Sequence, residues 1–334
     1  PNKFFYELKI FYIYYLYFKN EKYDLIYSFN PETFIISYLF DGEKYLSGVY
    51  HPKTYYRKHR QKIIKYLDRL DHNYQNKIVF MNESVKYHTE KYFNSKLNGF
   101  IFPLPIAINE TDRPIKEHFD FVRYESNKII SIGRIVDFKT YNLYMIDIME
   151  SLYKEYPKIE YHIYGFGPLE NQLIEKISNS SSRNVIFFHG GVKHNKMKDV
   201  LKDCFCFIGM GTSMVEACLL GIPGIAAIAY NNDARTHGYF YELPKYECGS
   251  LKNDQNPKYK VINLIKRLKN NSKEEYELIA NNRFSKSKEF DLAGLEDKEN
   301  NYKIKLNQKN KIRKPNLFKL FLLRVLSHFN RKYN

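Results

Sequence analysis

Short apolar runs alternate with amphipathic stretches along this chain. In the second half, segments 128–132, 160–164, 185–188, 204–208 and 224–229 are mostly apolar, rich in β-branched and aromatic residues, and predict strands. Between them, 141–153, 168–177, 195–202 and 214–220 predict helices. In the first of these, Met145, Ile148, Met149 and Leu152 recur at helical spacing. Strands apolar along their whole length, alternating with helices, imply a parallel sheet covered on both faces. The first half shows the same alternation less sharply. Its expected strands are 24–28, 45–50, 77–81 and 99–102, and its expected helices 33–39, 55–70 and 83–93. Pro103, Pro105 and the polar stretch 109–127 suggest a linker.

The expected organisation is therefore α/β, with two Rossmann-like domains facing a cleft: 1–106, a linker at 107–127, and 128–300. A basic tail, 301–334, follows. Ligands of such sheets bind at the carboxyl ends of the strands, where loops meet helix N-termini.

Composition narrows the function classes. The chain has 334 residues, 53 Lys and Arg against 37 Asp and Glu, four Cys and no Trp. Its 31 Tyr and 25 Phe offset the chain entropy that would leave a polar sequence disordered. Four Cys in a chain this long do not make a disulfide framework, which points to a reducing, cytoplasmic compartment. No run of 18 uncharged apolar residues occurs, so no membrane-spanning helix is expected. The net charge of +16 favours an anionic partner. The tail carries ten Lys and Arg and no acid, with Leu317, Phe318, Leu320, Phe321 and Leu322 after Pro315. It reads either as a peripheral contact with an anionic inner membrane face or as a terminal helix packed on the body. No recognised nucleic-acid motif accompanies the charge, so no nucleic-acid partner is expected.

Four strand-end loops carry the candidate chemistry. Gly133-Arg134-Ile135-Val136-Asp137-Phe138-Lys139 follows a strand and sets two cations where a diphosphate would sit. Tyr164-Gly165-Phe166-Gly167-Pro168 allows a tight turn, but without the third glycine of a dinucleotide fingerprint it does not indicate NAD. Gly190-Gly191-Val192 ends the next strand. Gly211-Thr212-Ser213 leads into a helix, and Ser213-x-x-Glu216 has the form of a capping box. The same geometry aims backbone amides and the positive end of the helix dipole outward, so cap and ligand roles are both open for Glu216. Cys204-x-Cys206 has no second pair to complete a zinc site, and no nucleophile elbow or His-Glu-x-x-His motif occurs.

Taken in order, G-R-I-V-D-F-K at 133–139, Y-G-F-G-P-L-E at 164–170, the G-G-V turn and M-G-T-S-M-V-E-A-C-L-L-G-I-P at 210–223 resemble retaining glycosyltransferases of family 4. That resemblance implies the GT-B fold and transfer of a sugar from a nucleotide diphosphate sugar without a metal or other cofactor. The acceptor would be a glycan or lipid-linked glycan of cell-surface polysaccharide synthesis. It implies that Arg134 and Lys139 bind the donor diphosphate and that Glu216 holds the ribose hydroxyls. Gly211, Thr212 and Ser213 would give amides to phosphate or sugar, with Gly133, Gly165 and Gly167 shaping the donor site. Gly191 and Val192 would lie beside the base. His51, just past a strand, is the candidate to contact the donor sugar and support transfer; Asn30 and Glu83 are weaker candidates that would equally serve as helix caps. Two departures stand out. Ile208 occupies the position where the family has a second Glu, and the N-terminal domain reads as truncated or reduced by a first strand, glycine-rich loop and helix. An inert nucleotide- or glycan-binding GT-B protein and a nucleotide-sugar epimerase are the rival readings.

Overall fold

The computed structural model describes residues 15–16, 20–38, 40–56, 58–106, 119–249 and 257–291; the tail 301–334 lies outside them. The chain divides into two compact units, one running to Pro103 and the other Leu104–Glu296.

In the first unit, β1 (Lys22–Ser28), β2 (Asp41–Val49), β3 (Ile78–Phe80) and β4 (Phe100–Ile101) pair in that order, all parallel. Helices α1 (Pro31–Ser37), α2 (Lys58–Leu70) and α3 (Glu83–Phe93) connect them. Local chemistry sets the helix starts. The Asn30 side chain accepts the Thr33 amide at 2.8 Å and Pro31 opens α1. Asn82 accepts the Val85 amide at 2.9 Å before α3. Asn30 is thus the cap it was expected to resemble, whereas Glu83 is the first helical residue and Asn82 the cap. Phe34, Tyr38, Val49, Tyr74 and Phe80 fill the core.

In the second unit, β5 (Lys128–Ile132), β6 (Glu160–Tyr164), β7 (Ile186–Phe188), β8 (Cys204–Gly209) and β9 (Gly224–Ala226) form one parallel sheet in the order β7-β6-β5-β8-β9. Every residue of β8 is buried, which is why it reads as an unbroken apolar run. The path from β5 steps outward through β6 and β7, then returns to lay β8 on the other side of β5. That reversal makes the β5–β8 boundary the switch point at which such sheets open a crevice.

Helix α4 (Phe119–Tyr124) precedes β5. It stands inside the stretch expected as a linker and is anchored. Buried Arg123 donates to the Lys202 carbonyl at 3.1 Å and to that of Leu220, while the Tyr124 ring meets Tyr276 edge-on at 5.7 Å. Polar composition concealed this contact, because a charged residue supplies it. Helices α5 (Tyr141–Glu155), α6 (Glu170–Ser178), α7 (Met197–Leu201) and α8 (Thr212–Leu219) link the strands, and α9 (Val261–Asn270) and α10 (Lys273–Ser287) follow the short pair β10 (Arg235–Thr236) and β11 (Tyr259–Lys260). Met145, Ile148, Met149 and Leu152 of α5 are all buried in the core, as their spacing predicts. Strand β9 stops at Ala226 rather than 229, where its partner β8 also ends, Ala226 pairing with the last residue of β8, Gly209. No helix among the described residues is long and apolar enough to cross a membrane.

Candidate functional site

The loops at the carboxyl edge of the second sheet are tied to one another. Gly133 donates its amide to the Tyr164 carbonyl at 2.9 Å, and Ile135 to that of Phe166 at 3.0 Å. Gly165 donates to the Gly190 carbonyl at 2.7 Å. The backbones pass so close that a Cβ on Gly165 would stand 1.9 Å from the Gly133 carbonyl oxygen; only glycine fits. Across the switch point, the Ser213 hydroxyl donates to the Ile132 carbonyl at 2.7 Å, joining the loop after β8 to the end of β5. Gly133, Arg134 and Lys139, Gly165 and Gly167, Gly191 and Val192, and Gly211 to Ser213 therefore sit on one rim. Phe166 lies against Gly191, its Cδ1 3.0 Å from where a Cβ would be, and is strongly exposed.

Two cations occupy the loop after β5. The Arg134 guanidinium stands 5.9 Å from the Phe138 ring centroid and is exposed. Lys139 is largely buried. Its ammonium is drawn down to about 8 by that burial and then by the neighbouring Arg134 charge. Among the described residues neither cation has a carboxylate partner. Two adjacent positive charges without a counter-charge form a site that is unfavourable when empty and suited to an anion.

Helix α8 opens opposite this loop in sequence order but beside it in the sheet. Gly211, at φ 76°, turns the chain into the helix. The expected capping box does not form. The helix begins at Thr212 with Gly211 as its cap, and the Ser213 hydroxyl goes to Ile132 instead. The amides of Thr212 and Ser213, in the first turn, have no intrahelical acceptor and are open to an anion. Gly211 differs: its amide donates to the Cys248 carbonyl at 2.7 Å, so it is committed to the fold rather than open to a phosphate. Glu216, on the second turn, is three-quarters buried and its carboxylate meets His194 Nε2 at 2.8 Å.

Ile208 is wholly buried in the core, so β8 offers no carboxylate there. His51 lies at the end of β2 in the first unit; its Nδ1 accepts the Lys53 amide at 3.1 Å and its carbonyl accepts the Thr54 amide at 3.0 Å. Three contacts at the second unit's rim are not legible from the chain. They are the Cys248 carbonyl under Gly211, the bond from Tyr230 N to the Phe138 carbonyl at 2.9 Å, and the bond from the Thr140 hydroxyl to the Asn231 carbonyl. All involve backbone carbonyls, which carry no side-chain signature. His194 lies in a polar loop with nothing in its spacing to single it out.

Residues 115–238 match the family model for glycosyl transferases group 1. No curated protein sequence matches the chain. Among solved structures, the chain resembles a TarM variant from S. aureus in complex with fondaparinux, alpha-GlcNAc-glycerol and UDP, with a TM-score of 0.57, 18% identity, and coverage of 84% of this chain and 55% of that one. It resembles sucrose-phosphate synthase from Thermosynechococcus elongatus at a TM-score of 0.63, 14% identity, and 92% and 80% coverage. It also resembles HepE of Anabaena in complex with UDP at a TM-score of 0.61, 12% identity, and 90% and 82% coverage. The chain spans about half the length of TarM. These likenesses give the fold as GT-B, and the match to the glycosyl transferases group 1 model falls within the second unit.

Proposed function

We propose, from a glycosyl transferases group 1 domain in a GT-B fold, that this chain moves a sugar from a nucleotide diphosphate sugar to a glycan or lipid-linked acceptor. One observation carries the reading: Arg134 and Lys139, two neighbouring cations with no carboxylate partner among the described residues, share a rim with the open amides of Thr212 and Ser213. Breaking the bond from sugar to diphosphate leaves negative charge on the diphosphate. Preorganised donors at that point lower the barrier because they need not reorganise as charge develops. Arg134 offers a planar fork to phosphate oxygens, Lys139 a compact ammonium, and the helix amides a third set of donors. The cations do here what a divalent metal does elsewhere, which supports a metal-independent transfer. Glu216 of α8, which meets His194, is the residue put forward to receive the ribose hydroxyls, and Gly191 and Val192 those to border the base. His51 is the residue of the first unit we put forward for the transfer step.

Retention of anomeric configuration and a role in surface-polysaccharide synthesis complete the proposal, supported by the resemblance of the motifs at 133–139, 164–170 and 210–223. A screen of nucleotide sugars by thermal shift tests it, since a ligand at 100 times its Kd stabilises by about 2.7 kcal/mol. With the donor so found, transfer to lipid-linked glycan is expected to persist in EDTA and give the retained anomer by proton NMR. His51→Ala is expected to slow transfer while leaving donor binding in place. Loss of transfer in EDTA would reject the metal-independent mechanism.

A second reading, an inert GT-B binding protein, draws on Ile208, whose buried side chain cannot read a donor sugar. Donor stabilisation without any turnover would favour it. The tail 301–334, with ten basic residues and no acid, we assign to contact with an anionic cytoplasmic membrane face. The full chain is expected to sediment with phosphatidylglycerol vesicles at low salt and a chain lacking 301–334 to remain in solution; equal sedimentation of both would remove the assignment.

A further inference from the structure

The Tyr141 side chain is wholly buried, yet its hydroxyl has no hydrogen-bond partner among the described residues. Buried polar groups in native folds are nearly always paired, so this one calls for a cause. Its place suggests the cause. Tyr141 is the first residue of α5, and helical side chains lean back toward the N-terminus, here toward the rim. A Cβ built on Gly133 would stand 2.8 Å from the Tyr141 hydroxyl and 2.9 Å from Lys139 Nζ. Both polar atoms therefore close over the same glycine, and no side chain at 133 could come between them.

We propose that Tyr141 is a positioning residue for Lys139: when a diphosphate occupies the rim, the buried phenol accepts a hydrogen bond from the ammonium and holds Nζ toward the phosphate oxygens. This rests on the diphosphate reading of the site. The chemistry is matched. An ammonium has three donors and no acceptor, so it can serve two phosphate oxygens and one phenol together. Burial holds the phenol protonated, leaving its oxygen lone pairs to accept. The other groups facing Lys139 cannot take this role. Arg134 repels it, and the buried Cys248 thiol, raised to about 12, stays neutral and is a weak acceptor. The Tyr161 hydroxyl is engaged with Ser131 at 2.9 Å and with Asn142 at 3.0 Å, and of the two unpaired phenols, Tyr141 and Tyr144, only that of Tyr141 stands with Lys139 Nζ beside Gly133.

The test uses the full chain, with inorganic pyrophosphate and UDP as probes, measured by calorimetry from pH 6 to 10. Tyr141→Phe removes an unpartnered hydroxyl and keeps the ring, so the fold and its unfolding temperature are expected to hold or rise. Affinity for both probes is expected to fall by about tenfold, the effect of one lost charge-assisted hydrogen bond. The alkaline limb of the binding profile is expected to move to lower pH, because the ammonium loses an acceptor. A purely packing role would move neither. Unchanged affinity with an unchanged limb overturns the role of Tyr141 and leaves the diphosphate site standing. A wild-type chain that binds neither pyrophosphate nor UDP overturns both.

Discussion

Replacing Arg134 and Lys139 together by alanine is expected to remove donor binding while leaving the fold intact. Each charge-assisted hydrogen bond to a phosphate oxygen contributes about 1.5 to 3 kcal/mol. Loss of both should weaken a nucleotide diphosphate by roughly a hundredfold to ten-thousandfold. Neither side chain has a carboxylate partner among the described residues, so their removal orphans no buried charge. The change should show in calorimetric titration of a nucleoside diphosphate, with the circular dichroism spectrum and unfolding transition preserved. Binding within threefold of the wild type would remove both residues from the site.

Lys139→Met is expected to raise stability while impairing function, and the pH dependence carries the sign. The folded-state pKa of Lys139, about 8, lies below its ordinary 10.5. Between those values the unfolded chain binds more protons than the folded one, so the wild type gains stability as pH rises through that window. Below it, keeping the ammonium protonated in a buried site beside Arg134 costs roughly 3 kcal/mol. Methionine keeps the stem and discards the charge. The variant should therefore unfold at a distinctly higher temperature than the wild type at pH 7, with the difference shrinking toward zero above about pH 10.5. A difference that stays constant with pH would mean that packing, not charge, sets the cost. Function should titrate the other way. Only the ammonium binds phosphate well, so wild-type donor affinity should decline above about pH 8, by up to about tenfold per pH unit. The unfavourable charge of the empty site is thus recovered when an anion arrives, a trade between stability and activity common at binding sites.

Much of the second unit was legible because its signals are local. The buried β8 reads as an apolar run, and the α5 stripe of Met145, Ile148, Met149 and Leu152 reads at helical period. The rim was legible as motifs, since Gly165 and Gly167 and the pair Arg134 and Lys139 are side-chain choices at strand ends. What escaped depended on partners distant in sequence. Ser213 and Glu216 have the spacing of a capping box, but the Ser213 hydroxyl donates to Ile132 and the Glu216 carboxylate pairs with His194, so a tertiary partner displaces the local one in each case. The Gly211 amide was expected to face a ligand and is instead bound to Cys248, whose segment carries no motif. Arg123 anchors α4 in a stretch that reads as linker because a buried arginine looks like a solvated one in sequence. Tyr141 reads as one more apolar position of α5; only the packing reveals that its hydroxyl is unpaired and close to Lys139.

The most direct measurement is a crystal structure of the chain with whichever nucleoside diphosphate stabilises it most. The diphosphate is expected at the switch point of the second sheet. Its oxygens would lie within hydrogen-bond distance of the Arg134 guanidinium, Lys139 Nζ and the Thr212 and Ser213 amides. A diphosphate bound elsewhere, with those donors facing only solvent, would contradict that placement.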